Sequence, residues 1–264
     1  MLVVQTMTVA IVAARLASTR CPGKVIADVN GKQMIQRLVE RLSLAELVDE
    51  VVVATGTLED AAILEKALGC RVVQFGGIVD ESDVLGRFVA AVNWHGEVDK
   101  IVRVTGDCPL VDPHLVDQAI QVLELADYSS NVLHRSFPRG LDVEVFHSDV
   151  LERVHRLATE PRHREHVTLY INENREKFEI EDFWVENEQM DWDMKEEVWC
   201  VDYPEDLDLV RGVYEWMDEY CMDGNCGWKM IMEYMDHAGL KPRRHKADTT
   251  STEKEYVTED MQIL

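Results

Sequence analysis

Three groups of side chains in this chain have the types and spacing for phosphate chemistry. The first lies in residues 9–24, VAIVAARLASTRCPGK, where an apolar run breaks into a loop carrying Arg15, Ser18, Thr19, Arg20 and Lys24. Arginine offers a planar fork of donors matched to phosphate oxygens and lysine a compact point charge, so together they can neutralise a polyphosphate tail. The other two are carboxylates, Asp107 in TGDCPLVDP and Asp202 in VDYPEDLDLVR. A carboxylate facing phosphates usually does so across a hard cation, because Mg²⁺ prefers oxygen and bridges the two. Two such aspartates at one edge of a sheet can share one ion. The bland alternatives are a solvated cationic loop and an aspartate that only makes a turn before Pro109.

The elements that must position these groups follow from hydrophobic periodicity. Residues 9–13 are short, apolar and rich in β-branching, as in a buried strand. Residues 32–47 place Met34, Ile35, Leu38, Val39, Leu42 and Leu47 at near-helical spacing, and VVVAT at 51–55 predicts a second strand. The alternation continues with a helix over 58–68, a strand over 71–75, a helix over 83–95, the strand IVRVT at 101–105 and a helix over 114–125. Strands alternating with helices imply a parallel sheet with helices on both faces, and ligands in such sheets bind beyond the carboxyl ends of the strands. Asp107 falls just past one such end. VWCVD at 198–202 predicts a last strand ending at Asp202, followed by a helix opened by Pro204 with Glu205 and Asp206 in its first turn. A further helix is expected over 228–238. Neither G-x-x-x-x-G-K-[ST] nor G-x-G-x-x-G occurs, which argues against a P-loop kinase and a dinucleotide dehydrogenase.

Composition bounds the partners. With 27 Lys and Arg against 50 Asp and Glu the net charge is -23, which disfavours nucleic-acid backbones and anionic membranes. The 264 residues suffice for one domain over 1–240, with a polar and mobile tail over 241–264. Cys21, Cys70, Cys108, Cys200, Cys221 and Cys226 form no C-x-x-C, so a reduced set in a cytoplasmic protein is expected, against a bridge or metal pair at Cys221 and Cys226. The apolar amino terminus lacks a basic leader and is too short to span a bilayer.

Between about 128 and 197 the rhythm changes. LDVEVF at 141–146 alternates, as in an antiparallel strand with Asp142 and Glu144 facing outward, and helices are expected over 148–157 and 162–174. This small antiparallel excursion suits an acceptor wall or a dimer contact. Arg139, Asp142, Glu144, Arg164, Glu165 and His166 could hold a hydroxylated, anionic acceptor, although each alone is more often an ordinary surface ion-pair residue.

The ordered motifs A-R-x-x-S-T-R-x-P-G-K-V, T-G-D-C-P-L-x-D-P and V-D-x-P-E-D-L-x-L-V-R resemble the cytidylyltransferases of acidic sugars, such as the 3-deoxy-manno-octulosonate and acylneuraminate enzymes. G-L-D-V-E-V-F and R-E-H-V-T-x-Y-I bring the chain closer to the SpsF-like branch associated with spore-coat and surface polysaccharides. The likeness spans roughly residues 7–212. It implies an α/β nucleotide-diphosphosugar transferase fold, GT-A-like and Rossmann-like, with a mixed sheet. It also implies the reaction of CTP with a sugar to give CMP-sugar and pyrophosphate. On this resemblance Arg15 and Lys24 hold the triphosphate, the backbone of Ala13, Ala14 and Arg15 approaches the cytidine, and Ser82 and Arg87 of S-D-V-L-G-R contact the nucleotide. The resemblance likewise implies that Asp107 and Asp202 bind Mg²⁺ and that the enzyme is a homodimer. Cys108 stands where the octulosonate enzymes carry Glu in G-D-E-P, and their acceptor-binding segment is not visible, so the acceptor stays open between octulosonic or nonulosonic acids, another sugar and another anion. A glycosyltransferase on the same fold would need a D-x-D near the middle strand, and the D-x-D at Asp191, Trp192 and Asp193 lies in an acidic linker. A non-catalytic nucleotide-binding protein would be expected to have lost Lys24, Asp107 or Asp202.

Overall fold

The structure, a computed structural model, describes residues 6–69, 73–74, 81–185, 194–221 and 225–245. Cys70, the Gly76–Gly77 pair, the D-x-D at 191–193 and the tail from 246 lie outside the described residues.

β1 (Thr8–Ala13) is buried along nearly its whole length because neighbouring strands flank it and both faces are covered. Its alternation divides it between two cores: Ala10 and Val12 face one, Val9 and Ile11 the other. After the cationic loop, β2 (Asp28–Val29) and β3 (Lys32–Gln33) form a short hairpin through Asn30 and Gly31, both at positive φ. That hairpin removes Lys32 from the expected helix, so α1 (Met34–Leu42) is shorter than its apolar spacing suggested. The alternating unit then runs β4 (Glu50–Thr55), α2 (Leu58–Leu68), β5 (Val73–Gln74), α3 (Val84–His95), β6 (Lys100–Thr105) and α4 (Pro113–Val122). Asp112 caps α4, its carboxylate accepting the His114 N–H at 2.8 Å.

The excursion supplies β7 (Tyr128–Ser130), β8 (Glu144–His147), α5 (Ser148–Leu157), α6 (Pro161–Glu165), α7 (Leu169–Glu173) and β9 (Ile180–Asp182). Its strands continue the main sheet, giving seven strands in the order β5-β4-β1-β6-β8-β7-β9. β1, β4, β5 and β6 run parallel, while β8 is antiparallel to both β6 and β7. The helix expected over 162–174 is broken into α6 and α7. The alternation at 141–146 does not put polar groups in water either: Glu144 is 3% exposed, because β8 is an interior strand covered on both faces.

The carboxyl-terminal part departs most from expectation. Only β10 (Glu197–Val198) is a strand in the 198–202 region, and it pairs outside the main sheet, antiparallel to β11 (Arg243–Arg244). α8 (Pro204–Tyr220) and α9 (Trp228–Ala238) lie between them in sequence. Residues 243–244 are thus part of the fold, not of a free tail. Residues 199–201 are held by backbone bonds: Trp199 N–H and Cys200 N–H both donate to the Arg139 carbonyl, at 2.6 and 3.1 Å.

One core gathers side chains of α1, α2, α4, α8 and α9, the other those of α3, α5 and α7. Each fully buried aliphatic side chain contributes about 1.5–3 kcal/mol. Exposed ion pairs add a median of only about 0–1 kcal/mol, so these two layers set the architecture. Cys221 and Cys226 are joined as a disulfide, contrary to the expected reduced set; they lie between the end of α8 and the start of α9 with their Cα atoms 5.9 Å apart. Among the described residues no helix is long and apolar enough to cross a membrane.

Candidate nucleotide site

The ends of β1 and β6 meet at Gly106. Its N–H donates to the Ala13 carbonyl at 3.0 Å, and a Cβ there would stand 3.0 Å from both that oxygen and the Ala14 Cβ. Glycine is what lets the two strand ends close this tightly, and the next residue, Asp107, is thereby set against the cationic loop. The loop itself is anchored at its start by Leu16 N–H donating to Asp60 Oδ2 at 3.0 Å. It ends in a 3₁₀ turn, Lys24–Ile26, after Gly23 at φ 71.

Lys24 is buried, and its Nζ donates to Asp107 Oδ2 at 3.1 Å and to the Val201 carbonyl. The same Nζ lies 3.6 Å from Asp202 Oδ1. Asp202 therefore reaches the site without belonging to a sheet strand. Val201 N–H donates to the Asp107 carbonyl at 2.8 Å, so the two carboxylate-bearing segments are tied backbone to backbone. Burial alone would push the Asp107 carboxyl up, but the Lys24 charge and hydrogen bonds from Thr105 and Lys24 hold it below the ordinary carboxylate range.

Two arginines complete the cluster. Arg20 donates to Asp202 Oδ1 at 2.5 Å, and Arg243 lies 3.5 Å from Asp202 Oδ2. Against the cost of burial, the Asp202 charge raises Arg20 and the Asp206 and Asp202 charges raise Arg243, so both stay fully protonated. Asp206, 3% exposed, accepts the N–H groups of Asp202 and Tyr203 at 2.9 Å each and both Nε and Nη2 of Arg243 at 3.2 Å. It caps α8, as its place in the sequence predicted, and also fixes the turn that carries Asp202. Both guanidinium groups lie over the Tyr203 ring, 5.4 and 5.0 Å from its centre. Arg243 left no sequence signal beyond a basic run after α9. Arg20 stood in the cationic loop without an assigned partner.

Arg15 is exposed, and among the described residues no hydrogen bond or ion pair joins it to Asp107 or Asp202. Its charge acts instead on Arg87, which burial first and Arg15 second hold below the ordinary guanidinium range. Arg87 is 4% exposed, donates to the Glu81 carbonyl at 2.5 Å and leaves its Nε without a hydrogen-bond partner among the described residues. Ala13, Ala14 and Arg15 continue β1 directly, and Ser82 stands just before α3.

The acceptor residues inferred from sequence do not gather. Glu144 is bound inside the sheet by Arg103 and by the Tyr128 hydroxyl, which donates at 2.6 Å, so it has no free face for a substrate. Asp142 pairs with both terminal nitrogens of Arg135, at 2.6 and 3.2 Å. Arg139 joins the Asp202 segment through its backbone, Arg164 turns to Asp83, and Glu165 and His166 are exposed at the end of α6. His163 is buried against Glu173 at 2.7 Å. Cys108 and Cys200 lie near Asp107, but burial, then the Asp107 charge, pushes both thiols well up, which disfavours the thiolate form at each.

A family model for cytidylyltransferases matches residues 9–225. The spore coat polysaccharide biosynthesis protein SpsF of Bacillus subtilis is 34% identical over 181 residues, spanning 65% of this chain and 72% of SpsF. A 3-deoxy-manno-octulosonate cytidylyltransferase of Geobacter metallireducens is 42% identical over 121 residues, 46% of this chain and 45% of that protein. Among solved structures, a cytidylyltransferase from Leptospira borgpetersenii aligns with a TM-score of 0.77 at 25% identity, covering 89% of this chain and 95% of that one.

Proposed function

This chain belongs to the cytidylyltransferase family, and we propose that it transfers CMP from CTP to an acidic sugar with release of pyrophosphate, in surface polysaccharide or glycoconjugate synthesis. The acceptor class is taken from the name of the octulosonate relative, and the place in polysaccharide synthesis from that of SpsF. The observation that carries the reading is the Lys24 ammonium lodged between Asp107 and Asp202 at the joined ends of two parallel strands.

In the reaction the sugar hydroxyl oxygen forms a bond to the α-phosphorus, the bridge to the β-phosphate breaks with its electron pair on pyrophosphate, and the hydroxyl proton passes to water. Charge grows on the phosphoryl oxygens and the leaving group, and cations set there beforehand stabilise it. Lys24 and Arg15 would hold the triphosphate. Ala13 and Ala14 would approach the cytidine, with Ser82 and Arg87 beside it.

The donor set suits Mg²⁺. Two carboxylates fit an ion that takes one or two of them and fills its shell with phosphate oxygens and water. Among the described residues no cluster of three or more metal-ligating side chains exists, so the nucleotide's own oxygens would supply the remainder. Asp107 and Asp202 would hold the ion, which when bound would neutralise the phosphoryl oxygens and acidify the attacking hydroxyl. Asp107 is ready for this role because its carboxyl is held ionised.

The proposal extends to a single nucleotidyltransferase domain, working as a cytoplasmic homodimer with the excursion in the contact. The test is pyrophosphate release with CTP, Mg²⁺ and a panel of octulosonic and nonulosonic acids. Release matched by CMP-sugar is expected. Release without acceptor would indicate hydrolysis, and none with any acceptor would refute the reading.

A further inference from the structure

The contact between α3 and α6 joins two sequence motifs that lie far apart. Arg164, in R-E-H, donates through one terminal nitrogen to Asp83 Oδ2 at 2.6 Å. Through the other it donates to His155 Nδ1 at 3.0 Å and the His155 carbonyl at 3.2 Å. Its fork is thus divided between the end of α5 and the residue that opens α3. Both side chains of the pair are mostly shielded, at 20% and 17% exposure, which makes this contact stronger than a surface ion pair.

Asp83 has a second task. Its Oδ1 accepts the Gly86 N–H at 2.8 Å, capping α3. A Cβ at position 86 would lie 2.6 Å from Asp83 Oδ2 and 2.9 Å from its Cγ. The cap carboxylate can lie over the first turn, with Oδ2 turned to Arg164, only because residue 86 is glycine. In S-D-V-L-G-R the Asp and the Gly are therefore one device, and its outer partner is Arg164, 81 residues away.

The next residue is Arg87, buried and acted on by the Arg15 charge, with its Nε unpartnered among the described residues. Burial and the Arg15 charge work against this guanidinium, the Glu81, Asp83 and Asp60 carboxylates work for it, and an oxygen ligand would meet the donor left over. Its position therefore has to be imposed by the turn that carries it. That turn, from Glu81 to Gly86, is held by the Asp83 cap and by the Arg87 bond to the Glu81 carbonyl.

We propose that Arg164 is a positioning residue of the nucleotide site: through Asp83 it locks the first turn of α3 and so sets Arg87 against Arg15 for the incoming nucleotide. This rests on the CTP reading of the site. It also gives the R-E-H segment of the excursion a place on the nucleotide side, not on an acceptor wall.

The test is equilibrium CTP binding by calorimetry, with thermal unfolding in parallel, on wild type, Arg164→Ala, Arg164→Lys, Asp83→Asn and the Asp83→Asn/Arg164→Ala double variant. Arg153→Ala serves as control, because Arg153, in the same excursion, is 3.5 Å from Asp127, donates to the Lys177 carbonyl and lies over the Phe178 ring. Loss of a charge-assisted bond predicts a roughly tenfold weaker Kd for CTP in Arg164→Ala and in Asp83→Asn. The double variant should be no worse than the weaker single one, Arg164→Lys should recover part of the loss, and Arg153→Ala should bind CTP as wild type does. In turnover, KM for CTP should rise while kcat stays within about twofold. Unchanged CTP affinity in Arg164→Ala beside a Tm loss like that of Arg153→Ala would overturn the inference and reduce the pair to a clamp. A wild type that binds no CTP would overturn the nucleotide reading itself, and this inference with it.

Discussion

Replacing Lys24 by Met removes the charge at the centre of the candidate site while keeping most of the side chain's volume. Its Nζ meets Asp107 Oδ2 at 3.1 Å and Asp202 Oδ1 at 3.6 Å, so the variant leaves two carboxylates close together and the Val201 carbonyl without its donor. Removing one partner of a buried ion pair costs about 3–5 kcal/mol. Here the two carboxylate side chains remain 30% and 21% exposed, and Arg20 and Arg243 still neutralise Asp202. Water and those arginines absorb part of the penalty, which leaves about 2–3 kcal/mol. For a chain of this size that corresponds to a fall in Tm of roughly 4–6 °C. Thermal unfolding followed by circular dichroism reads it directly. Millimolar Mg²⁺ should restore part of the loss, because two carboxylates without the ammonium are a better divalent site. Turnover should fall by about a hundredfold or more, as when one oxyanion donor is removed. An unchanged Tm, together with indifference to Mg²⁺ and wild-type turnover, would refute the reasoning.

The same variant makes a pH prediction. In the wild type Asp107 is held below its unfolded value, so its contribution is fully present above that value and is lost as pH falls through the lower, folded one. Without Lys24, burial dominates and the carboxyl rises, so the stability gap between variant and wild type should shrink on acidification below about pH 5; a gap constant with pH in urea titrations would remove the charge pairing from the account. Glu144→Leu leaves Arg103 unpaired inside the sheet and strands the Tyr128 hydroxyl, and should cost about 3–5 kcal/mol in urea unfolding. A cost under about 1 kcal/mol would mean the triad is solvated. Protein isolated without reductant should gain about 2 Da in intact mass and two alkylatable thiols on reduction, from Cys221 and Cys226. Equal masses would show that pair reduced.

The alternating half of the chain was legible because buried strands and amphipathic helices carry their periodicity in every residue. β1, β4 and β6 and the helices after them lie close to where the apolar pattern put them. Asp107 was legible for the same reason, since it stands beyond a strand readable on its own. Asp202 comes near Asp107 for a reason other than the expected one: VWCVD is apolar because it covers the core, and past Val198, which pairs with Arg243 outside the main sheet, its backbone partners are Arg139 and Asp107. Glu144 was misplaced because strand alternation reports two faces but not whether the second is covered. Arg243, Asp206 and the Arg164–Asp83 contact depend on chain segments that meet only after folding, and no local pattern announces such meetings. Of the excursion helices, the one over 148–157 was legible, while the one expected over 162–174 failed because five-residue turns carry too little periodicity to be separated from a longer helix.

The most direct test of the central claim is a crystal structure of the protein with CTP and Mg²⁺ bound. The account predicts triphosphate oxygens against Lys24 and Arg15, and the metal ion on carboxylate oxygens of both Asp107 and Asp202. A triphosphate seated elsewhere, or a metal touching neither aspartate, would contradict it.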